Sequence, residues 1–197
     1  MMVRPECLRV LAAHRTDEIV VSIFRAAFEW MAVSPSDLNF TFVKAMGQLA
    51  PYGLGLALAF PERRVIVIDG DGGLLMNLGC LVTVANARPR NLIHLNCNNG
   101  VYETSGGQAI PGQERVSFPG LARAAGYPVV QEVDDLGKWE KLVPRLLSTE
   151  GPVFVNLIVA PPPEPYPEDW IAAYSSERQK LFKERVTRLR RGRLQET

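Results

Sequence analysis

Two short turns hold the residues best suited to chemistry: Gly70-Asp71-Gly72 and, after a spacer of 25 residues, Asn98-Asn99-Gly100. An apolar run, Val65-Ile66-Val67-Ile68, leads into the first, and Leu92-Ile93-His94-Leu95 leads towards the second. Runs of this kind read as buried strands. They would deliver a carboxylate and a carboxamide to the same edge of a sheet, with a helix between them. Hard oxygen ligands converging there suit a Mg²⁺ ion that keeps other positions for phosphate oxygens. Gly72 and Gly73 would open the intervening helix. Their missing side chains let a diphosphate approach the backbone, and a helix N-terminus favours its charge. Asp71 cannot neutralise a phosphate itself, so a bridging Mg²⁺ on Asp71, Asn99 and one main-chain carbonyl is expected. Asp-Gly and Asn-Gly are common turn dipeptides. It is their joint placement behind two apolar strands that favours a site.

The elements that must position these turns alternate along the chain. Strands are predicted over 18–22, 39–43, 64–69, 91–97, 128–133 and 153–159, and helices over 5–15, 46–60, 73–87, 117–126 and 135–149. Most of the strands are continuous apolar runs rich in Val and Ile, which suits a sheet covered on both faces. The alternation predicts an α/β fold with a doubly wound, mainly parallel sheet. Ligands of such sheets lie beyond the carboxyl ends of the strands, where both turns fall. One domain is expected over 1–160. A spacer at Pro161-Pro162-Pro163-Glu164-Pro165 and a C-terminal helix over about 167–191 make up 161–197. Arg188, Arg190, Arg191 and Arg193 cluster at the end of that helix, where cations favour the dipole.

With 197 residues, 47% hydrophobic and 22% charged, the chain has the size and composition of an ordinary globular domain. Its formal charge of +1 gives no reason to expect nucleic acid as a partner. No apolar run is long enough to span a membrane and no signal-peptide core stands at the N-terminus. Cys7, Cys80 and Cys97 follow no ligand spacing and read as core thiols, so a cytoplasmic location is expected. Leu75 stands where a dinucleotide fingerprint needs Gly, and no Gly-Lys-Ser/Thr of a phosphate loop occurs. His94 reads as a core histidine, His14 and Arg115 as surface residues, and Trp30, Trp139 and Trp170 as packing or interface residues.

The paired turns resemble the signature of thiamine diphosphate (ThDP) enzymes, in which Gly-Asp-Gly is followed at this distance by Asn-Asn. Segment 44–59, Lys-Ala-Met-Gly-Gln-Leu-Ala-Pro-Tyr-Gly-Leu-Gly-Leu-Ala-Leu-Ala, resembles the helix before that signature. Segment 98–108, Asn-Asn-Gly-Val-Tyr-Glu-Thr-Ser-Gly-Gly-Gln, is similar to the matching stretch of phosphonopyruvate decarboxylases and of the β subunit of sulfopyruvate decarboxylase. The resemblance covers roughly residues 15 to 160 and implies a ThDP-binding fold. It also implies Asp71 and Asn99 as side-chain Mg²⁺ ligands, with Val101 giving a main-chain carbonyl. Gly72 and Gly73 match the diphosphate turn, and Tyr102 a residue beside the phosphates. Met46 matches the residue that holds the bent cofactor. The Lys44 carbonyl would accept from the aminopyrimidine, and Ser22 would reach the diphosphate. The chain departs from the family at Ser22-Ile23-Phe24-Arg25-Ala26-Ala27, where a Gly usually follows the strand, and at Lys44-Ala45, where Gly-Ser is usual.

In this superfamily the cofactor carries the carbanion chemistry and the protein supplies orientation and electrostatics. The glutamate that activates the cofactor belongs to a separate pyrimidine-binding domain, for which this chain has no room. Glu103 would sit at the wrong end of the cofactor. The resemblance therefore implies a pyrimidine-binding α subunit as partner, in an α₂β₂ or larger assembly. The expected function is that of the β subunit of a 2-oxo acid decarboxylase acting on a sulfopyruvate- or phosphonopyruvate-like substrate. Two rivals stand beside it. One is the β subunit of a 2-oxo acid oxidoreductase, which three scattered cysteines disfavour. The other is a ThDP-binding module without catalysis. The loop at Gly106-Gly107-Gln108 either covers the substrate or merely connects.

Overall fold

A computed structural model describes residues 1–42, 45–160, 169–173 and 175–196, with side chains described up to 192. Its strands are β1 (Met2–Val3), β2 (Ile19–Ile23), β3 (Asn39–Phe42), β4 (Val65–Gly70), β5 (Leu92–Asn98), β6 (Val101–Tyr102), β7 (Gln108–Ala109), β8 (Val129–Val133) and β9 (Val153–Ala160). The helices are α1 (Arg4–His14), α2 (Phe24–Val33), α3 (Leu49–Ala59), α4 (Asp71–Leu75), α5 (Gly79–Ala87), α6 (Phe118–Ala125), α7 (Leu136–Ser148), α8 (Trp170–Ala173) and α9 (Ser176–Glu196). A single 3₁₀ turn covers Glu103–Ser105.

The main sheet runs β3-β2-β4-β5-β9, and both β8 and β1 pair with the outer edge of β9. Every one of its ladders is parallel. Strand residues alternate between faces, and here both faces are apolar. Val65 and Val67 of β4 point into a core built with Leu54 of α3, Leu81 of α5 and Phe118 of α6. Ile66 and Ile68 point the other way, to Leu8 of α1, Trp30 of α2 and Trp139 of α7. The outcome is the expected α/β arrangement, a parallel sheet between two helical layers.

Local chemistry sets several boundaries. Ser117 accepts from Gly120 N at 3.0 Å to start α6, and Asp135 accepts from Lys138 N at 2.9 Å to start α7. Helix α3 carries no charged residue and reaches the sheet through Gly53. A Cβ added at Gly53 would meet Cγ2 of Val67 at 2.3 Å. At its far end Asn91 Nδ2 donates to the carbonyls of Ala57, Phe60 and Arg63.

Four expectations change. The helix expected over 73–87 is broken, because Asn77 turns its side chain to donate to the Gly47 carbonyl at 2.8 Å and tight turns replace the ladder over Met76–Leu78. No helix is expected between the strands at 18–22 and 39–43, yet β2 continues to Ile23 and α2 (Phe24–Val33) begins at once with Phe24 at φ 47°. The helix expected over 46–60 begins at Leu49. The tail helix is in two parts, α8 and α9, and Pro161–Pro165 lies outside the described residues. Phe182 of α9 is buried against Phe40 of β3, with ring centroids 5.1 Å apart, so the tail covers the sheet edge.

Gly53→Ala is expected to lower unfolding stability by about 1–3 kcal/mol, because the stiff Val67 side chain cannot make room. A urea titration of both proteins checks this, and equal midpoints would contradict the close helix–sheet contact.

Candidate functional site

Adjacent strands β2 and β4 send their chains to opposite faces. α2 enters the core with Trp30, while α4 and α5 enter the one with Phe118. A crevice opens where the connections part, at the carboxyl edge of the sheet. It encloses about 510 Å³, part of it open to solvent, and Ile23 to Ala26, Met46, Asp69 to Gly73, Asn99 and Val101 to Thr104 line it together with Arg4 and Cys97.

Asp71 stands at its floor, 3% exposed. One carboxylate oxygen accepts from Gly72 N at 2.7 Å and the other from Gly100 N at 2.6 Å. The second bond ties the end of β4 to the turn after β5, across 29 residues of chain. Burial pushes the Asp71 carboxyl above the ordinary carboxylate range, against the pull of these backbone donors, and the charge of Glu103 pushes in the same direction. Asn99 is fixed by its own turn, its Oδ1 accepting from Val101 N at 3.0 Å.

Gly72 faces the ring of Tyr102, and an added Cβ would stand 2.5 Å from two of its ring carbons. Asp69 is buried, accepts from Gly70 N at 2.9 Å and lies 3.4 Å from Nε2 of His94. His94 is fully buried edge-on to Phe154, with Nδ1 3.4 Å from the Tyr127 hydroxyl. It is a core histidine. After Tyr102 the chain takes its 3₁₀ turn, passes Gly106 and Gly107 at positive φ and returns as β7, an exposed antiparallel partner of β6.

The crevice thus brings together Asp71, Asn99, Val101, Gly72, Gly73, Tyr102 and Met46. It does not include Ser22, which is buried within β2 with its hydroxyl lacking a hydrogen-bond partner. Ile23 and the residues after it take the wall, because the strand runs further and the helix starts sooner than expected. Lys44 lies outside the described residues.

Sequence reasoning did not find Arg4 and Glu29. Arg4, 5% exposed, donates through Nε and Nη2 to both carboxylate oxygens of Glu29, 1% exposed, at 2.7 and 2.8 Å. Its Nη1 also donates to Glu103 at 2.6 Å. The one available signal was Glu29 itself, a lone acid between Phe28 and Trp30 in an apolar helix. A buried charge of this kind needs a partner.

The site suits a phosphate ester carried with a hard cation. A buried carboxylate accepts from the backbone N–H groups of Gly72 and Gly100, with Asn99 and Val101 on the same crevice wall, and the Tyr102 ring lies over Gly72. Among the described residues no group of three or more His, Cys, Asp or Glu side chains forms a metal cluster. A cation here would be shared between a few protein oxygens and its ligand.

The model of the family described as thiamine pyrophosphate enzyme, C-terminal TPP binding domain, matches residues 21–157. A phosphonopyruvate decarboxylase of Streptomyces viridochromogenes is 40% identical over 154 residues, 78% of this chain and 38% of that protein. A sulfopyruvate decarboxylase subunit beta of Methanothermobacter thermautotrophicus is 35% identical over 162 residues, 82% of this chain and 84% of the subunit. Among solved structures, a thiamine diphosphate-dependent 4-hydroxybenzoylformate decarboxylase of Rhodococcus jostii superposes with a TM-score of 0.66 at 19% identity. That match takes in 80% of this chain and 32% of the other, and it speaks for the fold. The chain spans little more than a third of the phosphonopyruvate decarboxylases it matches. With a family match over most of its length and a crevice to suit it, the chain belongs to the thiamine pyrophosphate enzymes, through their C-terminal TPP-binding domain.

Proposed function

We propose that this chain is the diphosphate- and Mg²⁺-binding β subunit of a ThDP-dependent decarboxylase acting on a small 2-oxo acid of the sulfopyruvate or phosphonopyruvate kind. The observation that carries this reading is the buried Asp71 carboxylate at the floor of the switch-point crevice, with Asn99 and Val101 beside it. Similarity to a sulfopyruvate decarboxylase subunit beta over 84% of that subunit supports the division of labour.

Asp71 and Asn99 would hold Mg²⁺ through side-chain oxygens and Val101 through its carbonyl. Gly72 and Gly73 would form the turn that meets the diphosphate, with the Tyr102 ring packed over Gly72 beside it. Met46 would support the bend of the cofactor, and the Lys44 carbonyl would accept from its aminopyrimidine. ThDP, when bound, supplies the electron sink that makes loss of CO₂ from a 2-oxo acid feasible. The activating glutamate would come from a pyrimidine-binding partner, in an assembly of the α₂β₂ kind. Cys7, Cys80 and Cys97 are free and buried, and burial pushes the Cys7 and Cys80 thiols up to about 12. Such inert thiols suit a reducing cytoplasm. Among the described residues no helix is long and apolar enough to cross a membrane.

Calorimetry of the full chain with ThDP is expected to show binding that EDTA removes and that Asp71→Ala weakens by more than about tenfold, as loss of a metal ligand should. Full affinity in that variant would contradict the site. With a pyrimidine-binding subunit added, CO₂ release from sulfopyruvate or phosphonopyruvate is expected, and its absence with both acids would contradict the substrate class.

Gly72→Ala places a methyl group against the Tyr102 ring. The expected result is a stability loss of about 1–3 kcal/mol together with weaker ThDP binding. Unfolding and calorimetry on one preparation check both, and unchanged values would show that Tyr102 swings away freely.

A further inference from the structure

The N-terminal strand β1 pairs with the last residues of β9, Met2 with Val159 and Val3 with Ala160. That register puts Arg4, the next residue, at the carboxyl edge of the sheet, beside the crevice. Its guanidinium uses one edge on Glu29 in a two-point pair and reaches Glu103 with Nη1 at 2.6 Å and Nη2 at 3.4 Å. Three segments far apart in sequence meet there: the start of α1, the middle of α2 and the turn after β6. Glu29 takes the Nε–Nη2 edge of the guanidinium, and Nη1 is left to reach Glu103.

The contact to Glu103 ties this pair to the turn after β6. Glu103 stands directly after Val101 and Tyr102, in a segment that pairs with β7, itself an exposed strand, and packs Tyr102 against Gly72. Gly100 N donates to Asp71, Ile110 N to the Gly100 carbonyl at 3.0 Å, and Gly107 N to the Tyr102 carbonyl at 3.0 Å. Of these, only the Asp71 bond reaches another secondary-structure element, and it holds the segment at its first residues. Glu103 fixes the segment at its other end. The Arg4 cation also balances a carboxylate whose charge acts on Asp71.

We propose that Arg4 and Glu103 are positioning residues: their ion pair clamps the Asn99–Glu103 segment and so holds the Asn99 and Val101 oxygens in place for the cation. The link to a cation rests on the function proposed above, whereas the clamp itself is a property of the chain alone. A buried ion pair is weak evidence for stability but often fixes one arrangement among several. Arg4, at the N-terminal edge of the domain, would thus set the geometry of a site built by other segments.

The clamp can be cut from the loop side without leaving a buried charge unpaired, because Arg4 keeps Glu29. In the full-length chain, Glu103→Ala is expected to speed hydrogen exchange at Gly100, Gly107 and Ile110 by about tenfold, as for a loop with a lowered local opening cost. Exchange in β4 and β5 and the melting temperature should stay as in the parent. Glu103→Gln, which keeps an acceptor for Arg4, should restore most of the protection. In calorimetry with Mg²⁺ and ThDP, Glu103→Ala should weaken binding by about 10–100-fold, the usual cost of losing support for metal ligands.

Arg4→Met paired with Glu29→Gln approaches the same contact from the other side and should loosen the same amides. Parental exchange at those amides in Glu103→Ala would overturn the clamp. Loosened amides with unchanged affinity would overturn its role at the site. A parent chain that binds no ThDP would instead refute the function proposed above, and the exchange data would still decide the clamp.

Discussion

A buried carboxylate needs a reason to remain in the interior, and the one at Asp71 organises this domain. Its two oxygens take the N–H groups of Gly72 and Gly100, so a single side chain closes the turn after β4 and reaches the turn after β5. These bonds favour its charged form and burial opposes it. A divalent cation would tip that balance. The crevice and the position of Asn99 would suit the surroundings of the proposed ion.

The fold produces this arrangement through topology. Parallel strands bring all their carboxyl ends to one edge, and the opposite exits of β2 and β4 keep that edge open. Helix α3 must lie close to the sheet for the chain before it to reach the crevice with Met46, and Gly53 provides the close approach. Asn77, through its bond to the Gly47 carbonyl, ties that segment to the turn between α4 and α5. The site walls are thus joined to one another by side-chain-to-backbone bonds as well as by the sheet.

Much of this was legible in the sequence, for identifiable reasons. Short, β-branched runs such as Val65–Ile68, bounded by turn residues, suit strands covered on both sides, and six of the strands lie within about two residues of their expected ends. Asp71, Asn99 and the glycines were legible because their chemistry is local to two turns. What escaped prediction depends on distant contacts. The break at Met76–Leu78 follows from Asn77 bonding a residue 30 positions earlier. Helix α2 begins on Phe24 in the left-handed region, where propensity would call for glycine. Arg4 and Glu103 are 99 residues apart, and no spacing rule joins them. Ser22 falls short of the crevice because β2 runs one residue further, and Ile23 takes that place.

Crystals of the full chain grown with ThDP and Mn²⁺ in place of Mg²⁺ would show whether Asp71 holds the cation, because Mn²⁺ can be located by its anomalous scattering. A single peak is expected in the crevice, about 2.1 Å from a carboxylate oxygen of Asp71, Oδ1 of Asn99 and the Val101 carbonyl, near the distance of a small octahedral cation. A peak away from Asp71, or ThDP bound with no metal between its diphosphate and that carboxylate, would contradict it.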